Sequence, residues 1–225
     1  MEELLQYDET IEQSASSREL GKHSIMDRTT QIVLKYFPYS EIIDNSGYTT
    51  VHVYCTNPEY YSRILGNMIE FHIMDTHIHV ETLIKCDSLN GTAVINYIIN
   101  IAYELRATIY HLLSYISLTD GSSLVLEDII LDIRTLYILM YGESWYNQRG
   151  FYSDRHMDNV SHNAHIRQSP IGSFPELLGD IDPSTTVGEV VTYLYKRKMY
   201  QPLQRILLHM KDHVRYKTAL RYKLH

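Results

Sequence analysis

The pattern of hydrophobic and polar positions in the first half of the chain predicts one helix followed by three strands. Residues 24–37 repeat apolar side chains at helical spacing and Pro38 ends the repeat, which predicts an amphipathic helix. Residues 49–55 alternate apolar and polar positions, as a half-buried strand does. Residues 68–74 and 77–86 flank the polar pair Asp75-Thr76. We expect these two segments to form a hairpin.

The pattern changes to helical periodicity after Asn90-Gly91. Residues 92–110 and 126–141 carry apolar positions spaced by three and four, and the short apolar run 112–118 between them is typical of a buried strand. Two further helices, 186–199 and 203–224, are predicted near the end of the chain, with Pro202 suited to a helix start. The succession of helix, antiparallel strands, helix, strand and helix predicts an α+β (α/β layered) fold.

These elements divide the chain into four predicted parts. A flexible polar arm covers residues 1–24, an α/β domain residues 25–152, an extended loop or linker residues 153–186, and a basic helical extension residues 187–225. No stretch approaches the roughly 18 apolar residues that a membrane span needs. The acidic N-terminus does not resemble a secretory signal. We therefore expect an intracellular, cytoplasmic protein without a membrane span.

Charge is distributed very unevenly along the chain. The formal net charge is -7, but residues 196–225 contain nine Lys/Arg against the single acid Asp212, which leaves +8 there and -15 in residues 1–195. A basic segment of this kind binds nucleic acid or another polyanion, or it docks on the protein's own acidic part. Tyr195, Tyr200, Tyr216 and Tyr222 interleave with these cations and would suit base stacking.

The segment Trp145-Tyr146-Asn147-Gln148-Arg149-Gly150-Phe151 has the spacing of a known motif. It resembles the aromatic-Tyr-x-x-x-Gly-Phe element of the GNAT superfamily of acyl-CoA-dependent N-acetyltransferases. In that element the glycine takes a left-handed conformation that ends a helix. Ser117–Ser123 followed by this segment also resembles GNAT-like proteins of large DNA viruses, which would place the chain in a virion or in host cytoplasm.

A second resemblance lies upstream, where a strand gives way to a helix. The superfamily's pyrophosphate loop, Arg/Gln-x-x-Gly-x-Gly/Ala, is similar to Ser88-Leu89-Asn90-Gly91-Thr92-Ala93, with Ser88 in the Arg/Gln position. Backbone N–H groups at a helix N-terminus form an anion site when small residues let the phosphate approach. The resemblance, which covers about residues 49–152, implies a GNAT-like mixed sheet flanked by helices. It also implies that Ser88, Leu89, Asn90, Gly91, Thr92 and Ala93 bind acetyl-CoA.

The resemblance also implies roles for three side chains and one geometric feature. Tyr146 would protonate the departing thiolate, and Glu81, or His79 through a water, would take the proton of an attacking amine acceptor. The strands 77–86 and 112–118 would diverge at their ends to admit the cofactor. Cys55 and Cys86, the only two cysteines, are predicted to be buried in strands rather than reactive.

Other chemistry finds less support in the sequence. Asp75-Thr76-His77-Ile78-His79 resembles the Asp-x-His-x-His metal signature of amidohydrolases, but the eightfold alternation of that family's barrel is missing. His156, His162 and His165 form a second histidine group without a complete ligand set. We therefore predict no metal site. Three functions remain open: an acetyltransferase, an inactive GNAT-like interaction or virion-associated protein that binds proteins or itself, and a nucleic-acid-binding protein that uses residues 196–225.

Overall fold

The computed structural model describes residues 24–54, 67–83, 89–126, 129–177 and 179–225, and these form an α+β fold as predicted. The chain divides into two compact units, Met1–Ile116 with Lys223–His225, and Ser117–Tyr222. The boundary at Ser117 falls inside the range 25–152 that the sequence assigned to one domain. The predicted arm, except residue 24, and both cysteines lie outside the described residues.

Among its described residues, the first unit contains two helices and four antiparallel strands. Helix α1 covers residues 24–36, and helix α2 is Gly91–Thr108. The strands, in the order in which they pair, are β1 Ser40–Asn45, β2 Tyr48–Tyr54, β3 Asn67–Ile73 and β4 His77–Leu83. The predicted helix 24–37, the strand 49–55, the hairpin about Asp75-Thr76 and the helix 92–110 are thereby confirmed within one or two residues of their bounds.

One face of this sheet carries the apolar core of the first unit. The register aligns Val51 with Phe71 and Phe71 with Val80, so the buried side chains of β2, β3 and β4 form a row. Helix α2 contributes a buried stripe at helical spacing, Val94, Ile95, Ile98, Ile101, Ala102 and Leu105. Phe37, just after α1, contacts the rings of Phe71 and Tyr97. The periods of two and 3.6 that the sequence displays therefore each correspond to a buried face.

The second unit holds the remaining helices and most of the remaining strands. In chain order these are β5 Tyr115–Thr119, β6 Ser123–Leu126, β7 Ile129–Asp132, α3 Ile133–Tyr141, α4 His156–Gln168, α5 Val187–Lys196, α6 Tyr200–Met210 and β8 Ala219–Lys223. The larger sheet has the order β1-β2-β3-β4-β5-β8, and β6 pairs with β7 in a separate hairpin. β5 and β8 each cross the boundary between the units along the chain.

The core of the second unit is built by helices α3, α5 and α6 with the β6–β7 hairpin. Its apolar members recur at helical spacing on all three helices, so each helix buries one stripe. The buried residues include Leu136, Leu139, Val187, Val190, Val191, Leu194, Leu203, Ile206, Leu207 and Met210. Helix α5 begins at a capping box in which the Thr186 hydroxyl accepts from the Glu189 amide and the Glu189 carboxylate accepts from the Thr186 amide. The helix begins one residue after the predicted start at 186 and ends three residues before the predicted end at 199.

The predicted helix 126–141 is wrong over its first half. The helix begins only at Ile133, and residues 123–126 and 129–132 pair as the strands β6 and β7 instead. Asp132 decides the boundary, because its carboxylate accepts a hydrogen bond from the Thr135 amide at 2.9 Å and caps the helix there. The apolar run 129–131 fits a strand as well as a helix, so periodicity alone did not distinguish them.

The predicted extended loop 153–186 is also wrong, because it contains helix α4. This helix buries only Asn163, so it shows no apolar stripe that a sequence could reveal. Polar contacts hold it instead: the Asn163 side chain donates to the Arg215 carbonyl and accepts from the Arg215 amide, both at 2.8 Å. Two short 3-10 turns, Ile171–Ser173 and Pro175–Leu177, follow before α5.

Two further elements differ from their predicted bounds. The last predicted helix, 203–224, ends at Met210, and β8 occupies residues that were assigned to its second half, so the C-terminal extension is only partly helical. Backbone pairing stabilises the extended chain there, since Tyr152 and Arg221 exchange two hydrogen bonds and the Asp120 amide donates to Thr218. The strand predicted at 112–118 begins only at Tyr115, after a turn at residues 111–112.

Candidate functional site

The N-terminus of α2 has the geometry of a capped helix start. Asn90 is extended (φ -79°, ψ 153°), and its side chain accepts a hydrogen bond from the Ala93 amide at 2.8 Å. Gly91 and Thr92 form the first helical positions, and Leu89 precedes them half-buried. One of the amides predicted to bind pyrophosphate is therefore already satisfied within the chain. Ser88, the first residue of the predicted loop, lies outside the described residues.

The two strands that the resemblance places beside the cofactor start next to each other. The Ser114 amide donates to the Thr76 carbonyl at 2.9 Å, and the His77 ring stacks on Tyr115 with 4.8 Å between centroids. Residues 84–88, at the end of β4, fall outside the described part of the chain. The predicted divergence of the strand ends therefore stays a prediction.

His79 and Glu81, the predicted bases, are brought together on β4. His79 Nε2 lies 3.2 Å from Glu81 Oε2, and both side chains are partly exposed. They therefore form an ion pair when the imidazole is protonated. This pairing places an imidazole and a carboxylate at alternate positions of β4, on one side of the strand.

Tyr146, the predicted acid, belongs to the second unit and is buried. Its side chain is 7% exposed, and its ring contacts Trp145 at 4.9 Å and Phe151 at 6.1 Å between centroids. The motif forms a single 3-10 turn, Asn147–Arg149, after which Gly150 adopts the left-handed conformation (φ 87°) expected of the motif's glycine. The Arg149 guanidinium covers the Trp145 ring at 3.7 Å and donates to the Trp145 carbonyl.

Burial keeps the Tyr146 phenol protonated. Desolvation, and to a smaller extent the nearby Asp120 carboxylate, raise its pKa to about 12, while Arg149 acts in the opposite direction. A phenol with so high a pKa stays a proton donor at every physiological pH. It has no hydrogen-bond acceptor among the residues that the structure describes.

The histidine groups do not assemble into a metal centre. In the described ranges, no three His, Cys, Asp or Glu side chains are grouped so that they could hold a metal ion. The members of the second histidine group make separate contacts. His156 faces Glu143 at 3.4 Å, His162 contacts the His213 carbonyl at 2.9 Å, and His165 is exposed.

The basic segment 196–223 presents all of its cations to solvent. The nine exposed residues are Lys196, Arg197, Lys198, Arg205, Lys211, Arg215, Lys217, Arg221 and Lys223. Apart from Arg221, none of them forms an ion pair with a carboxylate in the part of the chain that the structure describes; Arg205 donates to the Glu176 carbonyl instead. By contrast, Lys35 pairs with Glu104 at 2.6 Å and Arg134 with Asp132 at 3.3 Å.

The tyrosines of this segment face inward. Tyr195, Tyr200 and Tyr216 pack against the core of the second unit, and Tyr222 lies against Phe151 at 5.4 Å and beside Gly150. Side chains in these positions are not free to stack on bases. The base-stacking role that the sequence suggested for them therefore has no geometric support.

The sequence reasoning missed a buried polar cluster around Arg134 at the start of α3. This side chain is 8% exposed; it donates to the Asp120 carbonyl, the Asp132 carboxylate and the Tyr216 hydroxyl, and its guanidinium lies 3.8 Å from the centre of the Tyr216 ring. Asp120 is 1% exposed, and its Oδ1 accepts from Ser122. A cation in the first turn of a helix opposes the macrodipole, and this anomaly is the signal that would have revealed Arg134.

No protein-family model, curated protein or solved structure matches the chain. The fold and its contacts define the class as an α+β protein of two compact units. Within the described residues, no helix is both long enough and apolar enough to cross a membrane.

Replacing Arg134 by Met should destabilise the second unit strongly. The substitution keeps the apolar stem but leaves Asp132, the Asp120 carbonyl and the Tyr216 hydroxyl without their shared donor, which costs about 3–5 kcal/mol in comparable buried pairs. Urea unfolding of the full chain measures the change. Arg155→Met, at an exposed arginine, is the matched control and should cost less than about 0.5 kcal/mol. Equal stability of the two variants would contradict the proposed role of Arg134.

Ionisation of Tyr146 should destabilise the protein between pH 10 and pH 12. Its folded pKa of about 12 exceeds the ordinary value of 10.0, so its contribution is fully present below pH 10 and is lost as the pH rises towards 12. The loss amounts to about 2–3 kcal/mol. Urea unfolding of wild type and Tyr146→Phe across this range measures it, because the other tyrosines cancel in the difference. A difference independent of pH would show that the phenol is not desolvated.

Proposed function

We propose that the protein binds nucleic acid through the phosphate backbone, using the exposed cations of residues 196–223. The single observation that carries this proposal is that all nine Lys/Arg of the segment are solvent-exposed. A basic segment docked on its own acidic part would pair these cations with carboxylates. Eight of the nine form no such pair among the described residues, so their charge is available to an external polyanion.

The inward orientation of the segment's tyrosines favours binding to the phosphate backbone and not to the bases. Contacts from lysine and arginine to phosphate carry no sequence information, whereas contacts to base edges do. Aromatic stacking holds unpaired bases of any sequence. Tyr216 lies under Arg134 and Tyr222 lies against Phe151, so these two rings are not free to stack on bases. Contacts from the cations to phosphate are the contacts that remain. Binding should therefore be independent of base sequence and steeply dependent on salt.

The cations cluster at the two ends of helix α6. Lys196, Arg197 and Lys198 precede the helix, and Lys211, Arg215 and Lys217 follow it. Eleven helical residues span about 16 Å, which matches about five phosphate steps along one strand of B-DNA. One duplex can therefore contact both clusters. The charge of -15 in residues 1–195 repels nucleic acid and confines binding to this segment.

Neutralising one cluster should weaken DNA binding and flatten its salt dependence. In Lys196→Gln/Arg197→Gln/Lys198→Gln, three phosphate contacts are removed, so the slope of log K against log salt should fall by about 2–3. Fluorescence anisotropy with a labelled 20-base-pair duplex at several salt concentrations measures the slope.

The matched control for this experiment removes three positive charges elsewhere. Arg28→Gln/Lys35→Gln/Arg155→Gln has the same net charge as the cluster variant but leaves residues 196–223 intact. It should bind like wild type apart from a small non-specific loss. Equal weakening by both variants would show a net-charge effect, and the absence of duplex binding by wild type at low salt would end the proposal.

A second candidate function is acetyl transfer from acetyl-CoA. The adjacent starts of the two strands at Thr76 and Ser114 support it in the first unit, and the left-handed Gly150 supports the resemblance of the motif in the second unit. On this proposal Gly91, Thr92 and Ala93 of the first unit hold the pyrophosphate, and His79 or Glu81 of the same unit accepts the amine proton. Such positioning and electrostatic stabilisation are the usual sources of acyl-transfer catalysis.

Acetyl-CoA should stabilise the protein against thermal unfolding if this second function holds. A ligand at 100 times its Kd adds about 2.7 kcal/mol, and Gly91→Val should abolish the effect by blocking approach to the backbone amides. Differential scanning fluorimetry with acetyl-CoA measures the shift. An unchanged unfolding temperature at millimolar acetyl-CoA would rule out the acetyltransferase function. If duplex binding also failed, the inactive interaction or virion protein would be the function that remains.

A further inference from the structure

A cleft in the second unit is lined by two cations that belong to different helices. Its volume is about 570 Å³, within the range of small-ligand sites. The lining residues come from the end of α4 and from one face of α5: Arg167, Gln168, Thr186, Gly188, Glu189, Thr192, Tyr193 and Lys196. Of these residues, only Lys196 belongs to a candidate binding segment of the sequence, the basic segment.

Arg167 is held in the cleft wall by close approach to α5. A Cβ atom at Gly188 would lie 2.7 Å from Arg167 Cγ and 3.0 Å from the Leu139 carbonyl oxygen, so only glycine leaves room for this side chain. Arg167 Nε is buried and has no hydrogen-bond partner within the described ranges of the chain. The side chain forms no ion pair with any described residue. A partly desolvated guanidinium without a counter-charge is costly, and an anion in the cleft would supply that counter-charge.

Lys196 supplies the second positive charge of the cleft. It lies on the same face of α5 as Thr192 and Gly188, at successive spacings of four residues. Long side chains on a helix lean towards its N-terminus, a direction in which Lys196 can reach back over Thr192 towards Arg167. Lys196 is exposed and forms no ion pair among the described residues. Both cations can therefore approach one anionic group.

Glu189 is the one acid of the cleft lining, and its carboxylate is already engaged. Its Oε2 accepts from the Thr186 amide at 2.9 Å and from the Thr186 hydroxyl at 2.7 Å. These bonds lower the pKa of Glu189, so it remains charged. The lining side chains then carry two positive charges and one negative charge. The net charge of the cleft favours an anion, while Glu189 weakens the attraction.

We propose that this cleft binds a phosphate group between Arg167 and Lys196. A guanidinium recognises phosphate by directional hydrogen bonds, and a lysine adds a point charge. The Tyr193 ring, 57% exposed, lines the same cleft and offers a surface for a base attached to the phosphate. The phosphate belongs either to a free nucleotide or to a nucleic-acid strand. In the second case the inference rests on the proposed function above.

Phosphate binding should depend on Arg167 and respond to Glu189. Isothermal titration of the full chain with inorganic phosphate, and separately with AMP, measures the Kd at constant ionic strength. Arg167→Met, which keeps the stem against Gly188, should weaken both ligands at least about tenfold. Glu189→Gln removes a like charge but retains the capping box, so it should tighten both about threefold. Arg155→Met, outside the cleft, should bind as wild type does.

A stability readout separates a binding role of Arg167 from a structural one. Without phosphate, Arg167→Met should unfold at the same temperature as wild type or higher, because an unpaired buried donor is removed. Wild type should be stabilised by phosphate and Arg167→Met should not. If phosphate shifts both proteins equally, or if wild type binds neither phosphate nor AMP, the inference is overturned.

The source of the phosphate is decided by duplex binding. If Arg167→Met loses AMP but keeps the wild-type affinity and salt slope for the duplex, the ligand is a free nucleotide and the cleft works independently of DNA. If Arg167→Met loses the binding of both AMP and the duplex, the nucleic-acid strand supplies the phosphate. Duplex binding that stays intact while wild type ignores phosphate and AMP would refute the cleft and leave the proposed function standing.

Discussion

The buried guanidinium of Arg134 is the contact on which the second unit depends. It joins the end of β5 at Asp120, the start of α3 at Asp132 and the segment after α6 at Tyr216, three parts of the chain that are distant in sequence. A buried cation needs several acceptors, and only this arrangement supplies them. The position of each segment is therefore tied to the others. The Asp120 amide adds a backbone bond to Thr218 at the same place.

This constraint explains why the basic segment is divided between helix and strand. Tyr216 is fixed beneath Arg134, and Asn163 of α4 binds the backbone of Arg215, so residues 215–218 cannot continue helix α6. The chain then pairs in an extended conformation, with Tyr222 against Phe151. Because the tyrosine side chains pack into the core, the lysines and arginines between them point to solvent. The same inward anchoring that forms the core leaves the cations exposed for a polyanion.

The two proposed binding regions use different physical means. The cations at the ends of α6 are exposed side chains, which suit a long polyanion and confer no specificity. Arg167 is instead fixed between two helices by the close approach at Gly188, and a fixed guanidinium selects a ligand by geometry. Lys196 belongs to both regions. The same side chain therefore takes part in the general attraction of the basic segment for phosphate and in the defined phosphate site of the cleft.

The success of the sequence-based predictions differs between the two units for a physical reason. In the first unit, α2 and strands β2 to β4 each bury one face, so a period of 3.6 or two appears directly in the sequence. In the second unit, α4 buries only Asn163 and is held by polar contacts, which leave no periodic trace. The hairpin before Ile133 has an apolar run that suits helix and strand equally.

The candidate sites divide in the same way. The sequence alone predicted the left-handed Gly150, the start of helix α2 near Gly91, the location of His79 and Glu81 on a strand, and the basic character of residues 196–223. Only tertiary structure could decide that Tyr146 is buried, that the basic segment's tyrosines face the core, and that Arg167 lies over Gly188. Local conformation and charge belong to consecutive residues, whereas burial and pairing depend on side chains that are far apart along the chain.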